Sequence, residues 1–187
     1  MDDTLRAALA AAADLEKLGV CWFLGGSLAS SIHGIPRATF GADIMADLRP
    51  QHVRPFLRAL GEAWYADDGA MQDAIRDRSS FNLIHLETAM KVDVFVPKLR
   101  RFDGGEFARS QSLKVEGSDF EVRICCAEDI VVAKLEWYRL GGEDSERQWG
   151  DILGVLKLNA GKLDLELLRS SAAELGVADL LEKALAE

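Results

Sequence analysis

Two aspartates each interrupt a run of apolar residues, where an acidic side chain is unexpected. Asp43 lies within residues 42–45 and Asp93 within residues 90–96. A buried carboxylate is costly unless a cation or hydrogen bonds compensate for it. Two carboxylates on adjacent strands can converge on one hard cation such as Mg²⁺. For Asp93 a second interpretation stays open, because Lys91 lies two residues away on the same strand face and can pair with it.

A glycine turn supplies the second set of candidate residues. The apolar residues 20–24 predict a short buried strand that runs into Gly25, Gly26 and Ser27, where a helix is expected to begin. Glycines let backbone amides approach an anion, the serine adds a hydroxyl, and the helix directs its positive end to the same place. The turn therefore favours phosphate binding. By itself such a turn is more often just a tight strand-to-helix connection.

Alternating helix and strand patterns must position these residues, and they predict an α/β fold. Helices are predicted over residues 4–18, 27–33, 50–60 and 68–77, and strands over residues 20–24, 42–48, 81–86, 90–97, 112–115 and 120–126. The last four strands form two predicted hairpins. A polar stretch with Lys98, Arg100 and Arg101 lies between the two hairpins. We expect it to be a solvated loop, or a loop that weakly attracts an anionic acceptor.

The last third of the chain has helical patterns only, with breaks at residues 141–142, 159–161 and 176. No repeat and no Pro-rich or Ser-rich linker separates it from the rest. We therefore expect an α/β core over residues 1–126 and a C-terminal helical subdomain over residues 127–187 that packs on the core. A length of 187 residues fits this compact arrangement.

Composition excludes several classes of protein. With 49% hydrophobic and 28% charged residues the chain is expected to be globular, and its net charge of −9 argues against binding extended double-stranded DNA. Three cysteines, Cys21, Cys125 and Cys126, have neither a disulfide-framework nor a zinc-site spacing. No signal peptide or membrane-spanning run is recognisable. We expect a cytoplasmic protein without a membrane partner.

The order of these motifs resembles the nucleotidyltransferase superfamily of the DNA polymerase β type. Its signature is a Gly-Ser turn, then, nine to thirteen residues later, two acids that flank a hydrophobic residue, and a third acid on a later strand. Here thirteen residues, 28–40, separate Ser27 from Gly41-Ala42-Asp43. Asp43 matches the second acid and Asp93 the third, whereas Gly41 stands in the place of the first.

Within the superfamily the chain is most similar to small bacterial proteins of the AbiEii-like and minimal nucleotidyltransferase branches. Residues 34–39, 91–96 and 127–135 carry that resemblance, which continues to a late helix bearing Asp151. It implies a mixed sheet flanked by helices, with a C-terminal helical bundle.

The resemblance also implies a role for each candidate residue. Asp43 and Asp93 would be catalytic and would bind Mg²⁺ or Mn²⁺, while the phosphates of a nucleoside triphosphate would bind at Gly25, Gly26, Ser27, Arg37, Thr39 and Lys134. For Lys134 and Arg37 the alternative is a solvated surface residue. Asp151 would position the acceptor or act as a base, or it would pair with Arg147 on the same helix.

The implied reaction is transfer of a nucleoside monophosphate to a hydroxyl of an RNA end, a protein or a small molecule. Because Gly41 removes one metal ligand, impaired activity is expected. The alternative is a degenerate protein that binds a nucleotide or a cognate partner protein, as in a toxin–antitoxin or regulatory pair. A serine hydrolase is disfavoured because the last histidine, His85, comes too early in the chain, and no G-x-G-x-x-G dinucleotide motif occurs.

Overall fold

The computed structural model describes residues 3–114 and 121–187. The predicted turn of the second hairpin, residues 116–119, lies outside the described residues, as do residues 115 and 120 of the two predicted strands.

A mixed seven-stranded sheet forms the centre of the described part, in the order β3-β4-β5-β2-β1-β7-β6. The strands are β1 (Trp22–Leu24), β2 (Gly41–Ala46), β3 (Trp64–Ala66), β4 (Ser80–His85), β5 (Met90–Phe95), β6 (Gln111–Lys114) and β7 (Glu121–Ile124). Strand β2 runs antiparallel to β1 and parallel to β5. Both predicted hairpins, β4–β5 and β6–β7, are present as antiparallel pairs. The α/β prediction is confirmed.

Helices cover both faces of the sheet. They are α1 (Asp3–Lys17), α2 (Gly26–His33), α3 (Val53–Leu60), α4 (Asp68–Asp77), α5 (Arg101–Arg109), α6 (Ala127–Leu140), α7 (Glu146–Leu158), α8 (Leu165–Glu174) and α9 (Ala178–Leu185), with 3₁₀ turns at Pro50–His52 and Gly61–Ala63. In the C-terminal region, the predicted breaks separate helices α6 to α9.

Two elements were not predicted. The stretch expected to be a solvated loop contains α5, and Arg100 at its start forms ion pairs with Asp103 and Glu136. This helix is hard to predict from the sequence because it contains Gly104 and Gly105, and glycine is a poor helix former. Strand β3 has only three residues, too few to show an alternating pattern, and it is recognisable only by its pairing with β4.

Strand alternation divides the core into two clusters. On β2 and β5 the buried Ala42, Ile44, Val92 and Val94 pack with α1, α3 and α4. The residues between them, Asp43, Met45, Asp93 and Phe95, face the opposite side of the sheet, where the second cluster joins Phe23 and Ala29 to helices α6 to α9. The C-terminal helices thus pack on the sheet face that carries both aspartates. The domain boundary after residue 126 stays a prediction.

In the described part of the chain, no helix combines the length and apolarity that crossing a membrane requires. All three cysteines are free: Cys21 is exposed, and Cys125 and Cys126 are buried.

Candidate active site

Strand pairing brings the two candidate acids together. In the parallel pair β2–β5, Asp43 lies directly opposite Asp93, so both carboxylates project from the same face of the sheet. Burial raises the pKa of Asp43 above its usual value, and the negative charge of Asp93 raises it further. A cation placed between these carboxylates would relieve both effects.

The glycine turn lies against Asp43. The Gly25 amide donates to the Asp43 backbone carbonyl at 2.9 Å, and the Ser27 amide donates to the Asp43 carboxylate at 3.4 Å. Gly26 has a positive φ of 54° at the start of α2, and a side chain there would overlap the Asp43 carboxylate. Only glycine therefore fits at position 26, both for its backbone conformation and for the space that Asp43 occupies.

Two basic residues predicted for phosphate binding meet at Asp151 on α7. Arg37 donates to both Asp151 carboxylate oxygens at 2.8 and 2.7 Å, and Lys134 on α6 donates to one of them at 2.9 Å. The Arg37 Nη2 atom, which bonds one of these oxygens at 2.7 Å, also donates to the Ser27 hydroxyl at 2.8 Å. This charge cluster of Arg37, Lys134 and Asp151 thus connects both cations to the glycine turn.

The charge cluster distinguishes between the alternative environments considered for Lys134 and Asp151. Lys134 is not a solvated lysine, because its side chain is only 9% exposed and is paired. Asp151 is paired with Arg37 and Lys134 instead of with Arg147, the partner in the alternative interpretation. Burial alone would raise the pKa of Asp151, but its hydrogen bonds with Arg37 and Lys134 outweigh burial and lower the pKa to about 2.

The hydrogen bonds of Thr39 are made to residues outside the glycine turn. Its hydroxyl donates to the Gly41 backbone carbonyl at 2.9 Å, and its own carbonyl accepts a bond from Thr4 on α1. Asp47, which follows the end of β2, pairs with Arg49. Neither residue joins the two facing aspartates.

Asp93 does pair with Lys91, as the second interpretation anticipated. The Lys91 ammonium lies 2.8 Å from one Asp93 carboxylate oxygen, while the Asp93 side chain stays 19% exposed. This pair coexists with the position of Asp93 opposite Asp43.

A cavity of about 240 Å³ opens beside the turn and is bordered by Ser27, Asp43 and Lys134. Apolar side chains form much of its wall: Phe23, Met45, Phe95, Ile130, Ala133 and Trp137. Trp137 is half exposed at this cavity and meets the Phe95 ring edge-on. The cavity can therefore hold an apolar or aromatic group next to the acids.

Glu106 on α5 also lines the cavity and was missed by the sequence analysis, because α5 itself was missed. The residue is only 3% exposed. Burial, with a smaller contribution from the charges of Asp129 and Asp103, raises the pKa of Glu106 to about 9. Glu106 is therefore a neutral carboxylic acid at pH 7 and can donate a hydrogen bond into the cavity.

The acids fit one divalent cation better than two. Mg²⁺ is commonly held by one or two carboxylates with substrate phosphates, which Asp43 and Asp93 can satisfy. In residues 3–114 and 121–187 no group of three or more His, Cys, Asp or Glu side chains is arranged to hold a metal. Gly41 contributes no ligand, so a second cation has no carboxylate set of its own.

Solved structures share this arrangement of strands and helices. The solution structure of the antibiotic-resistance factor ANT(2'')-Ia covers all of both chains at a TM-score of 0.57 and 14% identity. The chain has a nucleotidyltransferase fold. Its nucleotidyltransferase fold is also similar to ANT(2'')-Ia in complex with adenylyl-2''-tobramycin, at a TM-score of 0.56 and 10% identity over 94% of this chain and 98% of the other.

A third similar structure is an antigenic nucleotidyltransferase-like protein from Paracoccidioides brasiliensis. It has a TM-score of 0.51 and 16% identity, over 99% of this chain and 93% of the other. No protein-family model and no curated protein sequence matches the chain. At these identities the similarity concerns the fold.

Proposed function

We propose that this nucleotidyltransferase-fold protein transfers a nucleoside monophosphate from a nucleoside triphosphate to a hydroxyl group. The observation that carries the proposal is the contact between the glycine turn and the facing acids. The Ser27 amide reaches the Asp43 carboxylate, and Asp43 lies opposite Asp93. A phosphate chain on the turn would therefore lie beside the carboxylates.

The glycine turn and the charge cluster hold the nucleotide in this proposal. Backbone amides at Gly26 and Ser27, at the N-terminal end of α2, bind the β- and γ-phosphates. Lys134 and Arg37 lie beside them, and with Asp151 they leave one net positive charge next to the Ser27 hydroxyl. That charge offsets part of the triphosphate charge.

The transfer requires an acceptor oxygen to attack the α-phosphorus. A new oxygen–phosphorus bond forms while the bond to the β-phosphate oxygen breaks, pyrophosphate leaves, and the acceptor proton passes to a carboxylate of the Asp43–Asp93 pair. A Mg²⁺ or Mn²⁺ ion held by these two residues would supply positive charge to the phosphate oxygens. Lys134 and the turn amides hold the leaving pyrophosphate.

The acceptor and the branch of the superfamily form the finer part of the proposal. Because ANT(2'')-Ia shares the fold, and the adjoining cavity has apolar walls, we place a small-molecule hydroxyl first among acceptors, before an RNA end or a protein side chain. The AbiEii-like resemblance, carried by residues 34–39, 91–96 and 127–135, is retained as a prediction about the branch.

Gly41 favours a second function. Without the first acid the chain would bind a nucleoside triphosphate without turning it over and would act as a regulatory or toxin–antitoxin partner protein. The same glycine turn and charge cluster would serve this function. The two functions differ in whether pyrophosphate is released.

Titration with nucleoside triphosphates, with and without Mg²⁺, tests both functions when pyrophosphate is measured in parallel. Ser27→Ala and Lys134→Ala are expected to weaken binding, while Ser170→Ala, an exposed serine on α8, serves as the control. Binding with pyrophosphate release supports transfer, and binding without release supports the regulatory function. Absence of binding at millimolar nucleotide contradicts both.

A further inference from the structure

The place of the missing acid is next to a lysine. In the β2–β5 pair Gly41 lies directly opposite Lys91, one step along the same face from the Asp43–Asp93 pair. A β-carbon at position 41 would lie 3.4 Å from the Lys91 carbonyl oxygen and 3.9 Å from the Lys91 Cε atom. An acidic side chain at position 41 would thus extend beside the end of the Lys91 side chain.

The Lys91 ammonium is also part of the acid pair. It lies 2.8 Å from Asp93, which lies directly opposite Asp43, so its positive charge is close to both carboxylates. The side chain of Lys91 is 51% exposed, so its position beside Asp93 does not depend on packing in the hydrophobic core. Two carboxylates and one ammonium carry a net charge of −1, so Lys91 removes half of the negative charge that these two acids offer to cations.

We propose that the Lys91 ammonium takes the place of one of two divalent cations, so that the chain binds a single Mg²⁺ together with its nucleotide; this inference rests on the proposed function. Lys91 balances the charge of Asp93 without any ligand from position 41. A second cation would have to displace the ammonium from Asp93 and would still lack a third carboxylate.

The proposal predicts that one substitution alone cannot create a second metal site. In Gly41→Asp, the new carboxylate would pair with Lys91, because both groups lie on the same face of neighbouring strands. In Lys91→Met, Asp93 would lose its ion pair, but only two carboxylates would remain. The double variant would have three carboxylates and no competing ammonium.

Electron paramagnetic resonance of Mn²⁺ tests this, using a non-hydrolysable α,β-methylene nucleoside triphosphate and counting Mn²⁺ per chain–nucleotide complex. We expect one Mn²⁺ in the parent, in Gly41→Asp and in Lys91→Met, and two in the double variant. Lys91→Met should bind its Mn²⁺ roughly tenfold more tightly, because one nearby positive charge is removed. Lys91→Arg, which keeps the charge, should stay near the parent affinity.

Lys162→Met provides the control for loss of one positive charge elsewhere, since Lys162 is exposed between α7 and α8. Two Mn²⁺ in the parent or in Gly41→Asp alone would overturn the inference. Equal Mn²⁺ affinities of Lys91→Met and Lys162→Met would also overturn it. So would a folded double variant that binds only one Mn²⁺. If no variant binds the analogue with Mn²⁺, the proposed nucleotide site itself is wrong.

Discussion

Substituting Gly26 by alanine tests the contact between the glycine turn and Asp43. Gly26 has a φ of 54°, a conformation that costs alanine about 1 kcal/mol. The added methyl group would also overlap the Asp43 carboxylate and force it away from the Ser27 amide. Loss of that hydrogen bond at a half-buried carboxylate adds about 1–2 kcal/mol. We expect Gly26→Ala to lower the free energy of unfolding by about 2–3 kcal/mol and to weaken triphosphate binding.

Gly25 provides a matched control one residue earlier. Its φ is −123°, and a β-carbon there would have no heavy atom within 4 Å. Gly25→Ala should therefore change the free energy of unfolding by less than about 0.5 kcal/mol. Urea unfolding of both variants measures the difference directly.

A double-variant cycle separates the two contributions at Gly26. Asp43→Gly removes the whole Asp43 side chain, including its Cβ atom 2.8 Å from the added methyl group. In that background Gly26→Ala should cost only the backbone strain of about 1 kcal/mol. Equal stability of Gly25→Ala and Gly26→Ala, or strictly additive effects in the cycle, would refute the described contact.

Two further variants test the buried acids through the dependence of unfolding on pH. The folded pKa of Glu106 is raised to about 9, so the free energy of unfolding should fall as the pH rises above the unfolded pKa. Between pH 5 and pH 7 the parent should lose up to about 3 kcal/mol of unfolding free energy relative to Glu106→Gln, as measured by urea unfolding. Parallel pH profiles of the two proteins would contradict a buried neutral acid. Asp151→Asn should cost about 3 kcal/mol at pH 7 because Lys134 is left buried and unpaired. Since the folded pKa of Asp151 is lowered to about 2, that difference should shrink as the pH falls below about 4, and a constant difference between pH 7 and pH 3 would contradict the pairing.

Local patterns in the sequence were sufficient to predict most of the helices and strands and the fact that Asp43 and Asp93 each interrupt an apolar strand, whereas the proximity of the two strands was implied by the family resemblance. Each aspartate alternates with buried residues on its own strand, so its side of the sheet follows from the strand period of two. The turn at Gly25 to Ser27 is equally local.

Long-range partners could not be predicted in the same way. Arg37 and Asp151 are 114 residues apart, and no periodic pattern connects them. Helix spacing alone indicates the nearby Arg147 as a partner of Asp151. Glu106 was missed for a related reason, since its burial depends on distant contacts of α5, such as Phe107 with Phe23 on β1 and Arg109 with Asp129 on α6.

The space shared by Gly26 and Asp43 has a consequence for sequence divergence. The Asp43 carboxylate fills the volume that a side chain at position 26 would need, so position 26 can enlarge only if the residue at position 43 becomes smaller. In related sequences, any residue larger than glycine at position 26 should accompany a smaller residue than aspartate at position 43. Such paired changes would identify related proteins that have lost the acid at position 43 while keeping the fold.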